Sequence, residues 1–178
     1  MLSLVLPTYN EALNLPVLLP SIEQALKGHA YEVIIVDDDS PDRTWEVALA
    51  YAANHPAVRV VRRIRRRGLS SADNEGFLAA SGEVFVVMDA DGQHDTGLVL
   101  KLAQAVEAGS SIAIGSRYIE GGSVGNWDER RFALSRYATR LAQSLCNVHV
   151  ADPMSGFFAL SRATFQEALP RLNPKGFK

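Results

Sequence analysis

The residues best suited to chemistry stand where an apolar run ends. In "VFVVMDADGQHD", Val84 to Asp95, apolar and partly β-branched residues give way to Asp89 and Asp91, with Gln93, His94 and Asp95 close behind. In extended backbone, side chains at i and i+2 share a face, so both carboxylates point one way and Ala90 the other. Two carboxylates with ordinary pKa values near ~3.9 repel unless a cation or donors lie between them. Hard oxygen ligands suit Mg2+ or Mn2+, and Mg2+ is usually held by one or two carboxylates plus substrate phosphates. Gln93 can add a carbonyl oxygen, and Gly92 lets the backbone pass close to a ligand. The plainer reading is a turn with helix-capping aspartates. A second acidic cluster on a neighbouring run favours the metal–diphosphate site.

That second cluster is "VDDDSPDRT", 36–44. By the same i, i+2 argument Asp37 and Asp39 share a face, where they can accept from ribose hydroxyls or base N–H groups. Ser40-Pro41-Asp42 reads as a turn and helix cap, and for Asp42 capping and ligand recognition both stand. Basic residues follow. "RRIRRRG" (62–68) is either a solvated loop or a patch attracted to anionic lipid headgroups, at ~1 kcal/mol per residue. Arg117, Arg130, Arg131, Ser135 and Arg136 bracket a Gly-rich stretch, and guanidinium forks suit phosphate. Arg131 and Ser135 lie one helical turn apart on one face, whereas Arg136 and Arg140 read as an exposed basic face. His94 reads as a turn or capping residue, Trp45 and Trp127 as packing, and Cys146 as core.

These groups need a frame. Candidate strands are 2–7, 31–37, 58–61, 84–89 and 111–116, and helical patterns lie near 11–27, 42–54, 70–81, 96–108 and 129–146. Apolar strands alternating with helices indicate a mostly parallel α/β sheet with helices on both faces. Ligands of such sheets bind beyond the carboxyl ends of the strands. There "PTYNE" ends the first strand, "VDDDSPDRT" the second and "MDADGQHD" the fourth. The third strand runs into the arginines and the fifth into Arg117, so acidic and basic groups gather at one rim.

The 178 residues suit one domain with a sizeable core; 47% are apolar and 21% charged, and the formal net charge is −2. That charge argues against a nucleic-acid protein built on bulk electrostatics. One cysteine precludes an internal disulfide and is compatible with a reducing compartment. No leader pattern and no ~20-residue apolar span is legible, so the expectation is a soluble or peripheral segment. "NPKGFK" ends the chain in loop-like sequence, consistent with one catalytic domain, 1–178, truncated at its C-terminus.

"LPTYNE", "VDDDSPDRT", "RRRGLSSADNEGF", "MDADGQHD", "GSRYIEGG" and "DPMSGFFALSR" occur in the order and spacing of the inverting family-2 glycosyltransferases. The branch that the chain resembles is the dolichol-phosphate (polyprenol-phosphate) mannosyltransferases. The resemblance implies the GT-A nucleotide-sugar fold and transfer of mannose from GDP-mannose to a polyprenyl phosphate, giving a β-linked product. It places Pro7, Tyr9, Glu11, Asp37 and Asp39 on the nucleotide. It places Asp89, Ala90 and Asp91, with Gln93, around Mg2+ or Mn2+ on the diphosphate. Arg117, Arg131 and Ser135 fall where the family handles the acceptor phosphate, and Lys178 lies in another phosphate-contacting stretch. The implied location is peripheral, at the cytosolic face of a membrane, and the family generally continues with a further strand, an amphipathic helix and often membrane helices.

Two positions depart from the family pattern: Arg43 stands where Gly is usual and Phe158 where Arg is usual. A sister enzyme using UDP-glucose, UDP-N-acetylglucosamine or a modified arabinose is the nearest rival. A receiver domain would need Lys after the last strand, where Arg117 stands. An aspartate-dependent phosphatase would have Thr where Gln93 stands.

Overall fold

The computed structural model describes residues 1–116, 152 and 155–172. Six strands form one sheet among them: β1 (Leu2–Thr8), β2 (Tyr31–Asp37), β3 (Val58–Arg62), β4 (Val84–Val87), β5 (Ile112–Ile114) and β6 (Phe158–Ser161). The helices are α1 (Leu15–Ala25), α2 (Thr44–Ala52), α3 (Leu69–Ala79), α4 (Leu98–Glu107) and α5 (Arg162–Ala168), the last followed by a 3-10 turn at Leu169–Arg171. Sheet order is β3-β2-β1-β4-β6-β5. The first four strands are parallel, and β6 runs antiparallel to both its neighbours.

Strand alternation sorts the core onto two faces. Leu4, Leu6, Val33, Ile35, Val84 and Val86 point one way, into a cluster with Leu15, Leu19 and Ile22 of α1, Ala48 of α2 and Val99 and Val106 of α4. Val5, Ile34, Val36, Phe85 and Val87 point the other way, against Ala72 and Phe77 of α3 and Phe165 of α5. β1 and β4 are buried on both faces along their whole length, which is why they read as nearly continuous apolar runs, Ser3 excepted, whose hydroxyl donates to buried Glu32. Helix α3 approaches closely because Gly76 has no side chain: a Cβ there would lie 2.3 Å from Val5 Cγ1. Phe77, Phe85 and Phe165 then stack, with ring centroids 5.0 to 5.9 Å apart.

The expected frame of alternating strands and helices, with helices on both faces, is present. β6 was not expected. It inserts between β4 and β5, so those two strands are not neighbours. It is only four residues long and opens with the half-buried Phe158, so its sequence blends into the motif before it. Several ends differ as well. β4 stops at Val87 rather than 89, and α1 begins at Leu15 rather than 11, after a turn in which Asn10 takes a left-handed φ of 63°. The helix expected at 129–146 lies outside the described residues.

Candidate active site

Three loops meet at the carboxyl ends of the parallel strands, and the acids of "DDDSPD" tie them together. Asp37 is fully buried; its oxygens accept from Thr8 Oγ1 at 3.0 Å, Ser40 N at 2.9 Å and Ser40 Oγ at 2.6 Å. Asp38 accepts from the Arg63 guanidinium and from Gly68 N, which draws the β3–α3 loop in. Asp42 accepts from Thr44 N and Oγ1 through one oxygen and from Ala12 N through the other. Asn10 N donates to Ser40 Oγ and Glu11 N to Thr44 Oγ1, so "YNEA" and "SPDRT" are laced side to side. Burial opposes the charged form of Asp42, but the Thr44 and Ala12 donors outweigh it and hold its carboxyl below the usual range.

The premise that Asp37 and Asp39 share a face does not hold. Asp39 takes a left-handed φ of 56°, so the extended-strand rule ends at Asp37. Its carboxylate turns to Arg62 instead, through Oδ1. The solvated-loop reading of the arginine run holds for Arg65, Arg66 and Arg67, which are exposed, and fails for Arg63. Arg63 is 2% exposed, and besides Asp38 it reaches Ser71 Oγ, Gly68 O and Glu75. Arg66 pairs with Glu75, and Arg67 lies 4.6 Å over the ring of Tyr9. Trp45 packs, but it also serves as a platform: the Arg62 guanidinium sits 3.7 Å from its ring centroid.

Beyond the end of β4, Ala90 is turned into the core at 2% exposure, while Asp89 is half-buried and Asp91 exposed. Gly92, with φ 75°, makes the sharp turn that follows, and Gln93 N donates to Asp91 Oδ1 at 3.0 Å. Asp89 is boxed in from a distant part of the chain. A Cβ on Gly156 would lie 2.4 Å from Asp89 Oδ2, and His94 Nε2 stands 3.6 Å from the same oxygen. The His94 ring rests on buried Phe157, with centroids 5.0 Å apart. Ser155 Oγ donates to Gly115 O, and Gly115 N donates to Phe157 O, which fixes the Gly156 strap beside β5.

Among the described residues, Glu11, Asp89 and Asp91 have no Lys or Arg partner. Burial raises the Glu11 carboxyl; a hydrogen bond from Asn14 opposes this, and the charges of Asp91, Asp42 and Asp89 add to the rise. Asp73, on the first turns of α3, is raised to about 7 by burial and then by Asp89, with Arg63 opposing and Asp38 adding. Among the described residues its buried Oδ1 has no hydrogen-bond partner. Such a field suits a divalent cation. Among the described residues no group of three or more His, Cys, Asp and Glu is arranged to hold a metal. Two carboxylates and an amide fit an ion that completes its shell from a ligand's phosphates.

Of the residues singled out in the sequence, Tyr9, Glu11, Asp39, Asp89, Asp91 and Gln93 lie at this rim with partly or fully exposed side chains. Pro7 and Ala90 are buried, which leaves their backbone to face a ligand. Arg117, Arg131, Ser135 and Lys178 lie outside the described residues, as do Trp127 and Cys146. Sequence reasoning passed over Asp38, Arg63 and Gly156. A glycine directly before Phe157 was the available signal for Gly156; Asp38 and Arg63, 25 residues apart, carried none. Phe158, at the position where Arg was the family expectation, lies in β6 and packs against the second face of the core.

The chain matches the model of Glycosyl transferase family 2 over residues 3–169. It is 49% identical to the dolichol-phosphate mannosyltransferase of Pyrococcus furiosus, covering 99% of this chain and 50% of that protein. It is 37% identical to the polyprenol monophosphomannose synthase of Mycolicibacterium smegmatis, covering 97% and 66%. The chain thus spans between half and two thirds of the length of these relatives. Among solved structures it resembles the mannosyltransferase PcManGT of Pyrobaculum calidifontis in complex with GDP-Man and Mn2+, with a TM-score of 0.62 and 22% identity over 93% of this chain and 46% of that one. That likeness bears on the fold, which is the GT-A nucleotide-sugar fold.

Proposed function

The chain belongs to glycosyl transferase family 2, and on that premise we propose that it transfers mannose from GDP-mannose to a polyprenyl phosphate, inverting the anomeric centre. The observation that carries this reading is the Asp89–Ala90–Asp91 rim, where a core-anchored alanine holds two acids at the mouth of the sheet beside the laced β1 and β2 loops. The names of its relatives, which specify mannose and lipid phosphate, favour this donor and acceptor over the UDP-sugar alternative.

In this reading Asp89, Asp91 and Gln93 hold Mg2+ or Mn2+ against the donor diphosphate. The bound cation supplies positive charge where the departing nucleoside diphosphate gains negative charge. Tyr9, Glu11 and Asp39 receive the nucleoside, with the backbone of Pro7 and Ala90 alongside, and Asp37 keeps the loop in shape. Arg117, Arg131 and Ser135 receive the acceptor phosphate, and Lys178 adds a further phosphate contact. A phosphate monoester is already anionic at neutral pH, so it needs orientation by guanidinium groups more than a general base. The whole of 1–178 acts as one catalytic domain, peripheral to the cytosolic face of a membrane. No helix among the described residues is long and apolar enough to cross one.

The test is calorimetric binding of GDP, UDP and GDP-mannose with and without Mn2+. Mn2+-dependent binding that favours GDP is expected, and Asp91→Ala should abolish the Mn2+ dependence. UDP preference would overturn the mannosyl reading, and unchanged Mn2+-dependent affinity in Asp91→Ala would overturn the site. Arg131→Ala should spare donor binding and impair transfer to lipid phosphate.

A further inference from the structure

Arg62 is the last residue of β3, paired in register with Asp37 at the rim of the sheet. Its guanidinium carbon lies over the Trp45 ring, 3.7 Å from the centroid. Trp45 cannot drift, because the preceding Thr44 is buried and held by Asp42, and Thr44 Oγ1 in turn accepts from Glu11 N. From that platform Arg62 Nε donates to one oxygen of Asp39, Oδ1, at 2.7 Å, and Nη2 lies 2.5 Å from the same oxygen as its ion-pair contact. Among the described residues Asp39 Oδ2 has no hydrogen-bond partner, and the side chain is 32% exposed. One charge-assisted hydrogen bond and a close ion-pair contact engage one oxygen and leave the other open to the cleft.

We infer that Arg62 and Trp45 are positioning residues that fill one oxygen of Asp39 and present the other as a single fixed acceptor for a ribose hydroxyl of the bound nucleotide. The stoichiometry of acceptors decides the ligand group. The Watson–Crick edge of guanine offers two adjacent N–H donors, which a carboxylate matches with both oxygens. With Oδ1 occupied by Arg62, Asp39 has only Oδ2 to give, and a lone hydroxyl fits that geometry. A guanidinium stacked on an indole loses little further freedom on ligand binding, so the acceptor is set before the nucleotide arrives. This inference rests on the proposed nucleotide-sugar reading.

The test compares GDP, 2′,3′-dideoxy-GDP and pyrophosphate, each with Mn2+, by calorimetry on the wild-type chain, Arg62→Met, Trp45→Leu and Trp45→Phe. Removing the ribose hydroxyls should weaken wild-type binding about tenfold, as losing a hydrogen bond to a charged group does. Arg62→Met and Trp45→Leu should bind GDP about tenfold more weakly and no longer distinguish GDP from its dideoxy form. Trp45→Phe, which keeps a ring for the guanidinium, should behave like the wild type. Pyrophosphate–Mn2+ affinity should be the same in all four, which a general loosening of the rim would not leave intact. Equal GDP binding in Arg62→Met and wild type, or parallel loss of pyrophosphate, would overturn the positioning role while leaving the nucleotide reading in place. A wild-type chain that binds pyrophosphate–Mn2+ but not GDP would overturn both.

Discussion

Arg43 carries a left-handed φ of 62° at the start of α2, the position where the family pattern has glycine. An L-residue with a Cβ spends ~1–2 kcal/mol to stay there. Glycine would spend ~0.4–1 kcal/mol of extra chain entropy instead. The exposed Arg43–Glu46 pair at 3.5 Å returns little. Arg43→Gly should therefore stabilise the protein by ~0.5 kcal/mol in urea titration, without altering the turn. Asp73 gives a second expectation. Its folded-state pKa, about 7, lies above the ordinary carboxylate value, so the folded protein holds a proton that the unfolded chain releases. Its contribution is complete below pH ~4 and is lost as pH rises through about 7. Asp73→Asn should flatten the stability profile over that window and make the protein more stable than wild type at pH 8, by thermal denaturation. Gly156 is a third case. Its missing Cβ is the space that the Asp89 carboxylate occupies, so Gly156→Ala should lower Mn2+-dependent GDP binding at least tenfold while Mn2+-independent GDP binding changes little.

At the scale of elements, α3 depends on Gly76 lying against Val5, and Gly76→Ala should cost ~1–3 kcal/mol by forcing the helix off the sheet. The strand ends were legible because β1, β2 and β4 are buried on both faces and so are apolar apart from the paired Ser3 and Glu32 near their starts, with the remaining polar residues crowded at the exits. The arginine loop was not legible. Its outcome depends on Asp38 and Glu75, which are remote in sequence, and charge alone does not distinguish a solvated Arg65 from a buried Arg63. β6 escaped for a similar reason. Four residues carry too little periodicity, and its place in the sheet is set by pairing with Val84–Val87, far earlier in the chain. In the site itself, Asp89 and Asp91 announced themselves by spacing. The triple aspartate did not divide its labour visibly, because a single left-handed residue, Asp39, reverses the alternation on which the reading relied.

Across the whole molecule, the rim gathers Asp42, Asp89 and Asp91 near Glu11, and their charges add to the burial that raises its pKa. Mn2+ should therefore raise the melting temperature of wild type even without nucleotide, and Asp91→Ala should reduce that rise. β6 carries a different consequence. β4 and β5 are made early, but the strand that joins them is Phe158–Ser161, and the glycine that boxes in Asp89 stands two residues before it. On a ribosome, the first four strands can assemble while β4 still offers an open hydrogen-bonding edge, and that edge closes only when Phe158–Ser161 has left the exit tunnel. Closing the sheet and bringing Gly156 against Asp89 are then a single late event, so a nascent chain arrested before residue 156 would hold the first four strands yet lack the wall behind its foremost acid.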